Sequence, residues 1–335
     1  MRIAVTGGIG YVGAHCVRAM LARGHRVRLL VPPDAQDADV PARLAELGEV
    51  EVVLGDVRET AAVDLLLGGC DAVLHAAGVV GTDKRRSELM WQINAYATES
   101  VLTRASEAGL DPVVSVSSYS ALFPPPDGVI GPDTPTATGR SPYAQTKAYA
   151  DRAARRLQSR GAPVVVTYPS SVVGPAFHTA PGVTERGWAP IVRWGVAPRL
   201  RGGMQMIDVR DVADVHAALM TPGRGPRRYV CGGTLITFDD MIAALERGAG
   251  RRFKRIPLPQ NVFRGLSRIS EAMSGVVDLG DGLSYEAALL LTAATPTDDS
   301  ATLADLGVVW RSPVEAIVAS LSTHRIAEDA GDPAV

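Results

Sequence analysis

Cysteine is scarce. Cys16, Cys70 and Cys231 are the only three in 335 residues, widely separated and without CxxC spacing. An odd, scattered set supports neither a disulfide framework nor a zinc site, so the thiols read as small apolar fillers. An excess of positive charge is also lacking. The formal net charge is −2 and the pI about 6.3, with arginines and acids read as interspersed, so no basic field draws nucleic acid. No apolar run approaches the roughly 18 residues needed to cross a bilayer. The opening Met-Arg-Ile-Ala-Val-Thr-Gly enters a strand at once, without the basic, apolar and cleavage regions of a leader. The expectation is a cytoplasmic chain with a small-molecule substrate and neither a membrane nor a nucleic-acid partner.

What is present suits a large core: 46% hydrophobic and 21% charged residues. Short β-branched runs at Ile3–Thr6, Arg26–Val31, Val50–Leu54, Ala72–His75, Val113–Ser117 and Val164–Tyr168 alternate with helical patterns. The latter lie near Tyr11–Arg23, Ala61–Leu67, Ser87–Gly109 and Pro142–Arg160. Nearly continuous apolar strands separated by helices predict an α/β fold, a Rossmann-type doubly wound parallel sheet covered on both faces. Residues 1–168 are expected to form the dinucleotide-binding part, including the helix at 142–160. Residues 169–327 are expected to form a smaller, mostly helical substrate lobe with some elements returning to the core, and 328–335 a frayed tail. Its helices are predicted at Val209–Met220, Phe238–Gly248, Asn261–Ala272, Ser284–Ala293 and Pro313–Ser322. Phe123–Arg140, rich in proline and glycine, is a loop and a candidate lid.

Thr6-Gly7-Gly8-Ile9-Gly10-Tyr11-Val12-Gly13 lies between the first strand and the first helix. Glycine serves where the chain turns sharply and where backbone must lie against a pyrophosphate, and the helix start offers N–H groups to that anion. Gly7 is assigned the turn, Gly10 the approach of the diphosphate and Gly13 close helix–strand packing. At the end of the second strand an acid selects NAD and an arginine NADP. Asp34 and Arg28 are both candidates there, so the cofactor is read as NAD or NADP.

Ser141-Pro142-Tyr143-Ala144-Gln145-Thr146-Lys147 opens the helix after the loop, with Ser141 as N-cap and Pro142 at the first position. Tyr143 and Lys147 are four apart and share a face. A phenol ionises near pH 10, and a nearby ammonium lowers that value toward the working range, so the pair can pass a proton to a carbonyl oxygen or take one from an alcohol. Val116-Ser117-Ser118-Tyr119-Ser120 ends the fifth strand, where a serine hydroxyl can hydrogen-bond a substrate oxygen.

These motifs, in this order, resemble the extended short-chain dehydrogenase/reductases: the NAD-dependent epimerases and dehydratases, the 3β-hydroxysteroid dehydrogenases and the dihydroflavonol-reductase-like enzymes. The resemblance spans nearly the whole chain. It rests on the opening glycine loop, Gly55-Asp56-Val57, His75-Ala76-Ala77-Gly78, Asn94, Ser118, Tyr143 with Lys147, Pro169 to Pro175 and Asp208 to Ala213. It implies a catalytic trio of Ser118, Tyr143 and Lys147, supported by Asn94. Ser118 is preferred to Ser117 because the family's serine is normally the last of the pair. It further implies that Gly7, Gly10, Tyr11, Val12 and Gly13 belong to the cofactor-binding set and that Asp56 and Val57 hold the adenine. Ala76 and Ala77 would line the cofactor, Lys147 bind the nicotinamide ribose, and backbone from Pro169 to Val172 approach the nicotinamide. No metal is implied. His75 reads as a packed strand-end histidine, and the Asp208–Ala213 segment as structural. One departure stands out: Tyr168 occupies the place before Pro169 where the family often has arginine. Relatives often dimerise through the two long helices, so a homodimer is expected.

Phe177, Trp188, Ile191, Trp194, Val196 and Leu200 suggest a pocket for an apolar or alicyclic carbonyl or alcohol. Arg186, Arg193, Arg199 and Arg201 among them keep open a nucleotide-sugar epimerase or dehydratase with tightly bound NAD. A non-catalytic NAD(P)-binding sensor is the third reading, and the intact Ser118, Tyr143 and Lys147 argue against it.

Overall fold

The computed structural model describes residues 1–35, 39–81, 84–273 and 285–329. From the N-terminus it runs β1 (Arg2–Thr6), α1 (Tyr11–Ala22), β2 (Arg26–Val31), α2 (Val40–Ala45), β3 (Val50–Leu54), α3 (Thr60–Leu67) and β4 (Ala72–His75). After β4 come α4 (Ser87–Met90), α5 (Thr98–Glu107), β5 (Val113–Val116), α6 (Pro142–Ser159), β6 (Val164–Pro169) and β7 (Ser171–Val173). The second lobe continues with α7 (Val183–Trp194), β8 (Val196–Arg199), β9 (Gly203–Asp208), α8 (Val209–Ala218), β10 (Arg227–Cys231) and β11 (Thr234–Thr237). It ends with α9 (Phe238–Ala249), β12 (Lys254–Pro257), α10 (Gln260–Met273), α11 (Tyr285–Ala293), α12 (Ser300–Leu306) and α13 (Pro313–Asp329).

Seven strands form one sheet in the order β10-β6-β5-β4-β1-β2-β3, parallel throughout. The chain builds outward from β1 to β3, then crosses to β4 and builds the other way, which leaves a crevice at the carboxyl ends of β1 and β4. Alternation along β1 sends Ile3 and Val5 to one face, against Val17 and Met20 of α1 and Val212 and Val215 of α8. Ala4 faces the other side, with Val63 and Leu66 of α3, Val101 and Leu102 of α5, and Ala154 of α6. Burial on both faces is why the central strands β1, β4, β5 and β6 are mostly apolar, whereas the edge strands β3 and β10 carry Glu51, Arg227 and Arg228.

The second lobe is mostly helical, as expected, and its helices pack on two small sheets that the sequence did not announce. It contains a three-stranded sheet, β11-β9-β7, and a two-stranded one, β12-β8, around a core that includes Trp188, Phe238, Phe253 and Ile317. Strand β10 and helix α8 return to the Rossmann layer. The segment read as one helix over Ser87–Gly109 is α4, a π-helical stretch Trp91–Ala97, and α5. Helix α13 runs past the expected Ser322 to Asp329. Residue 284 and the tail from 330 lie outside the described residues.

The proline-rich loop is docked from Ile130 onward, while 126–129 stand exposed. Ile130 is fully buried and exchanges backbone hydrogen bonds with Pro296 and Asp298 at 3.0 and 2.8 Å. Arg228 donates to Pro132 O at 2.9 Å and to Asp133 at 2.6 Å, and Ala137 N–H donates to Ala121 O at 2.8 Å. These bonds correct the lid expectation: the loop is a strut between the core and helix α6.

Candidate active site

The glycine loop closes the end of β1. Gly7 has φ +70°, and a Cβ there would stand 2.5 Å from Ala77 N, so only glycine fits the turn. A Cβ on Gly13 would lie 2.0 Å from Gly7 O, so that glycine lets α1 close onto the loop itself. Gly10 differs. It is the N-cap of α1 in extended conformation, no side chain caps the helix, and a Cβ would make only an ordinary contact at 3.5 Å. Packing therefore does not demand glycine at position 10, and the open space beside it leaves room for a group from outside the chain. An uncapped helix start beside this opening fits the diphosphate of a dinucleotide.

Tyr11 sits on the first turn of α1. Its hydroxyl shares its one proton between Gly174 O at 2.8 Å and Glu185 Oε1 at 3.0 Å, and burial beside that carboxyl pushes its pKa far up. Glu185 also accepts N–H bonds from Gly174 and Gly182. Desolvation raises its own pKa to about 7. The cluster joins the glycine loop to the second lobe, a link that local sequence does not signal because its members lie more than 160 residues apart.

At the end of β3, Asp56 accepts from Arg58 backbone N–H at 2.8 Å and from its guanidinium at 2.9 and 2.5 Å. That guanidinium holds the Asp56 carboxyl below its usual value. Val57 follows, half-buried. Arg28 does not turn toward this crevice: it donates to the α3 carbonyls of Leu65 and Leu66 and to that of Gly68 and pairs with Glu51 at 3.0 Å. It is thus spent on a helix C-terminus, where cations are favoured, while Asp34 remains exposed.

At the end of β4, His75 is buried between Thr6 Oγ1 at 2.8 Å and Thr98 Oγ1 at 2.9 Å. Desolvation lowers its pKa to about 3, so it is a neutral packing residue, as expected. Thr6 also accepts from Ala77 N–H at 3.3 Å, which places Ala76 and Ala77 against the glycine loop. Asn94, buried in the π-helical stretch, accepts from Val79 N–H at 2.7 Å and donates to Val79 O at 2.8 Å and Thr146 Oγ1 at 3.3 Å. It thereby fixes the strand-end loop to helix α6.

Helix α6 begins as expected, with Ser141 Oγ accepting from Ala144 N–H at 3.1 Å and proline at its start. Lys147 is buried, donates to Val116 O at 3.2 Å and lies 6.0 Å from the centroid of the half-buried Tyr143 ring. Burial pushes its pKa down to about 8. Gly78 sits beside it: a Cβ there would lie 3.7 Å from Lys147 Nζ and 3.4 Å from Asn94 Oδ1. Ser118 accepts from Ser120 Oγ at 3.0 Å and Ser120 N–H at 3.3 Å, so its own proton is left to donate elsewhere. Ser120 was not singled out in the sequence. Its signal is the serine two residues on, which forms a local side-chain turn. Pro169 ends β6, and half-buried Val172 lies in β7. Asp208 caps α8 through Arg210 N–H at 2.8 Å, the structural role assigned to it.

The apolar set proposed for a substrate pocket is not brought together. Trp188 and Leu200 belong to the core of the second lobe, Phe177 packs against α1, and Trp194 is 71% exposed. Helical periodicity over α7 divides Trp188 from Trp194, and the sequence read as one list hid that division. Among the described residues no cluster suited to a metal ion occurs.

Apart from Asn94, which reaches Val79 and Thr146 from the π-helical stretch, the residues the sequence nominated for the dinucleotide and the chemistry thus stand at or beside the carboxyl end of a parallel strand or at the start of α1 or α6. The sequence profile of the NAD dependent epimerase/dehydratase family matches residues 3–232. The chain belongs to this family. It is an NAD-dependent oxidoreductase of the extended short-chain dehydrogenase/reductase type. Among curated relatives it is 26% identical over 330 residues to sterol demethylase protein B of Methylococcus capsulatus, covering 97% of this chain and 98% of that one. It is 31% identical to a dTDP-glucose 4,6-dehydratase of Streptomyces niveus, covering 75% and 78%. Among solved structures, UDP-glucose 4-epimerase from Bifidobacterium longum, in complex with NAD+ and UDP, superposes with a TM-score of 0.77. The match is at 19% identity over 99% of this chain and 100% of that one, a likeness of fold. Among the described residues no helix is long and apolar enough to cross a membrane.

Proposed function

We propose that this family member interconverts a carbonyl and a secondary alcohol on an apolar or alicyclic small molecule, with Ser118, Tyr143 and Lys147 as its catalytic residues. The carrying observation is the buried Lys147 ammonium beside the Tyr143 ring, with one backbone acceptor at 3.2 Å. With its pKa near 8, Lys147 is cationic at neutral pH and favours the Tyr143 phenolate. Tyr143 then donates a proton to the substrate carbonyl oxygen, or removes one from the alcohol. Ser118, its acceptor site filled by Ser120, donates a hydrogen bond to the same oxygen and steadies its charge. Asn94 positions this set through Val79 and Thr146.

The bound nicotinamide supplies or accepts the hydride. Gly7, Gly10, Tyr11, Val12 and Gly13 would hold its diphosphate, and Asp56 and Val57 the adenine. Ala76, Ala77, Lys147, Pro169 and Val172 would flank the nicotinamide half. Similarity to a protein named for sterol demethylation supports an alicyclic substrate. Separate fluorescence titrations with NADH and NADPH, followed by a carbonyl screen with the cofactor that binds, test the reading. It fails if no carbonyl is reduced while binding is intact.

Similarity to a dTDP-glucose 4,6-dehydratase favours a second reading, a nucleotide-sugar enzyme with retained NAD. Stoichiometric NAD in the purified protein, with turnover of a nucleotide sugar and no net cofactor use, selects it. A homodimer through the helical segment 87–109 and α6 is supported by Trp91, Tyr96 and Tyr149, whose rings meet tilted or edge-on with centroids 5.6–5.9 Å apart and Tyr96 exposed. Light scattering tests it.

A further inference from the structure

The charges are less evenly spread than a first reading suggests. Residues 186–207 hold four arginines and no acid, and residues 247–270 hold seven cations and no acid, in a chain of net charge −2. The fold lays the two stretches side by side. Strands β8 and β12 pair in parallel, with Val196 opposite Lys254 and Pro198 opposite Ile256. Lys254 N–H donates to Gly195 O at 2.8 Å, and the Arg251 guanidinium donates to Val192 O and Arg193 O at the end of α7.

Ala197 turns into the core of the lobe, so alternation sends Val196, Lys254 and Ile256 to solvent. Trp194, Val196 and Ile256 are exposed, as are Val262 and Leu266 one turn apart on α10, whose other side buries Phe263 and Ser267. The nearby carboxylates Glu246 and Asp239 are engaged by Arg252 and Arg255. Among the described residues no carboxylate pairs with Arg193, Arg199, Arg201 or Lys254.

We infer that this face of the second lobe, centred on Trp194, β8, β12 and the start of α10, docks the chain onto an anionic phospholipid surface. Interleaved aliphatic side chains, a tryptophan and unopposed cations match the boundary between acyl chains and acidic headgroups. RNA would meet the cations but leave Val196, Ile256, Val262 and Leu266 uncovered. A second copy would set cation against cation. Surface attachment needs no spanning helix, so it amends the expectation of no membrane partner. It stands apart from the reaction proposed above.

The test is flotation of the full chain with vesicles of phosphatidylcholine alone and of equimolar phosphatidylcholine and phosphatidylglycerol, at low and high salt. Expected is binding to the acidic vesicles only, a blue shift of tryptophan emission that Trp194→Ala abolishes, and release by salt. Arg193→Glu and Lys254→Glu should each weaken partitioning about fivefold or more. NADH binding in solution by each variant reports that it is folded. No flotation with the acidic vesicles, flotation unchanged in the three variants, or binding of RNA without binding of vesicles would each overturn the inference. NADH binding and carbonyl reduction are separate readouts, so failure here leaves the catalytic reading standing and the reverse.

Discussion

Helix α6 carries two ionic clusters one turn apart, and they differ in how fully the protein has used their polar atoms. In the upper cluster Lys147 is buried with one acceptor, Val116 O, and no carboxylate partner among the described residues. In the lower one Asp151 accepts from Thr136 Oγ1, from Arg155 Nε at 2.8 Å and from Tyr168 OH at 2.5 Å. Arg155 reaches on to Thr134 O at 2.9 Å and Tyr168 OH at 3.3 Å. The lower cluster is closed: it pins the proline-rich strut and β6 to the helix. The upper one keeps proton-donating capacity in reserve at the price of burying a charge. A saturated buried network stabilises, whereas an undersatisfied one stores chemistry.

Breaking the upper cluster should show in rate. On the proposed assignment, Tyr143→Phe lowers kcat/KM by about 10²–10⁴-fold with NADH binding and thermal stability nearly unchanged. Steady-state kinetics beside a fluorescence titration check it. Retained activity would remove the basis of the contrast.

Breaking the lower cluster should show in stability. Asp151→Ala leaves the Arg155 guanidinium and the Tyr168 hydroxyl without their buried acceptor, at a cost of about 3–5 kcal/mol by denaturant titration. Part of the lost activity would return with a stabilising osmolyte, which would not restore Tyr143→Phe.

Lys147→Met sharpens the contrast because the two effects have opposite signs. Folding lowers the Lys147 pKa from 10.5 to about 8. Below pH 8 the folded chain bears the cost of a buried charge. Between 8 and 10.5 it releases a proton that the unfolded chain still holds, and its stability rises. The variant should therefore lose activity yet gain about 1–3 kcal/mol at pH 7, the gain shrinking as pH approaches 10.5. Tm against pH for both proteins measures this. The smallest effect is expected for Tyr168→Phe, which removes one hydrogen-bonding hydroxyl, at about 1 kcal/mol with kcat little changed.

Tyr168 also shows where reading the chain stops. The family's usual arginine is absent at that position, and locally this looks like a loss. In the fold, Arg155, 13 residues earlier, brings a guanidinium to the Tyr168 hydroxyl. Local periodicity could place Tyr143 above Lys147 and Ser118 at a strand end, because each rests on spacing within one element or on an ordered set of motifs. It could not find the Asp151 cluster, drawn from the strut, the helix and β6, nor Tyr11 with Glu185. The strands β7–β12 escaped for a related reason: they overlap β1–β6 in length but lack the nearly continuous apolar runs that mark those strands, as Val-Ala-Pro-Arg of β8 and Lys-Arg-Ile-Pro of β12 show.

The layered sheet, the glycine turn and the Tyr143–Lys147 face were written in the order and period of the residues, since backbone geometry converts spacing directly into direction. Which buried charge is satisfied and which left poised, whether the proline-rich segment swings or braces, and which tryptophan of α7 meets solvent were settled only by packing. Each depends on partners from distant segments, and no local pattern records which of them arrive.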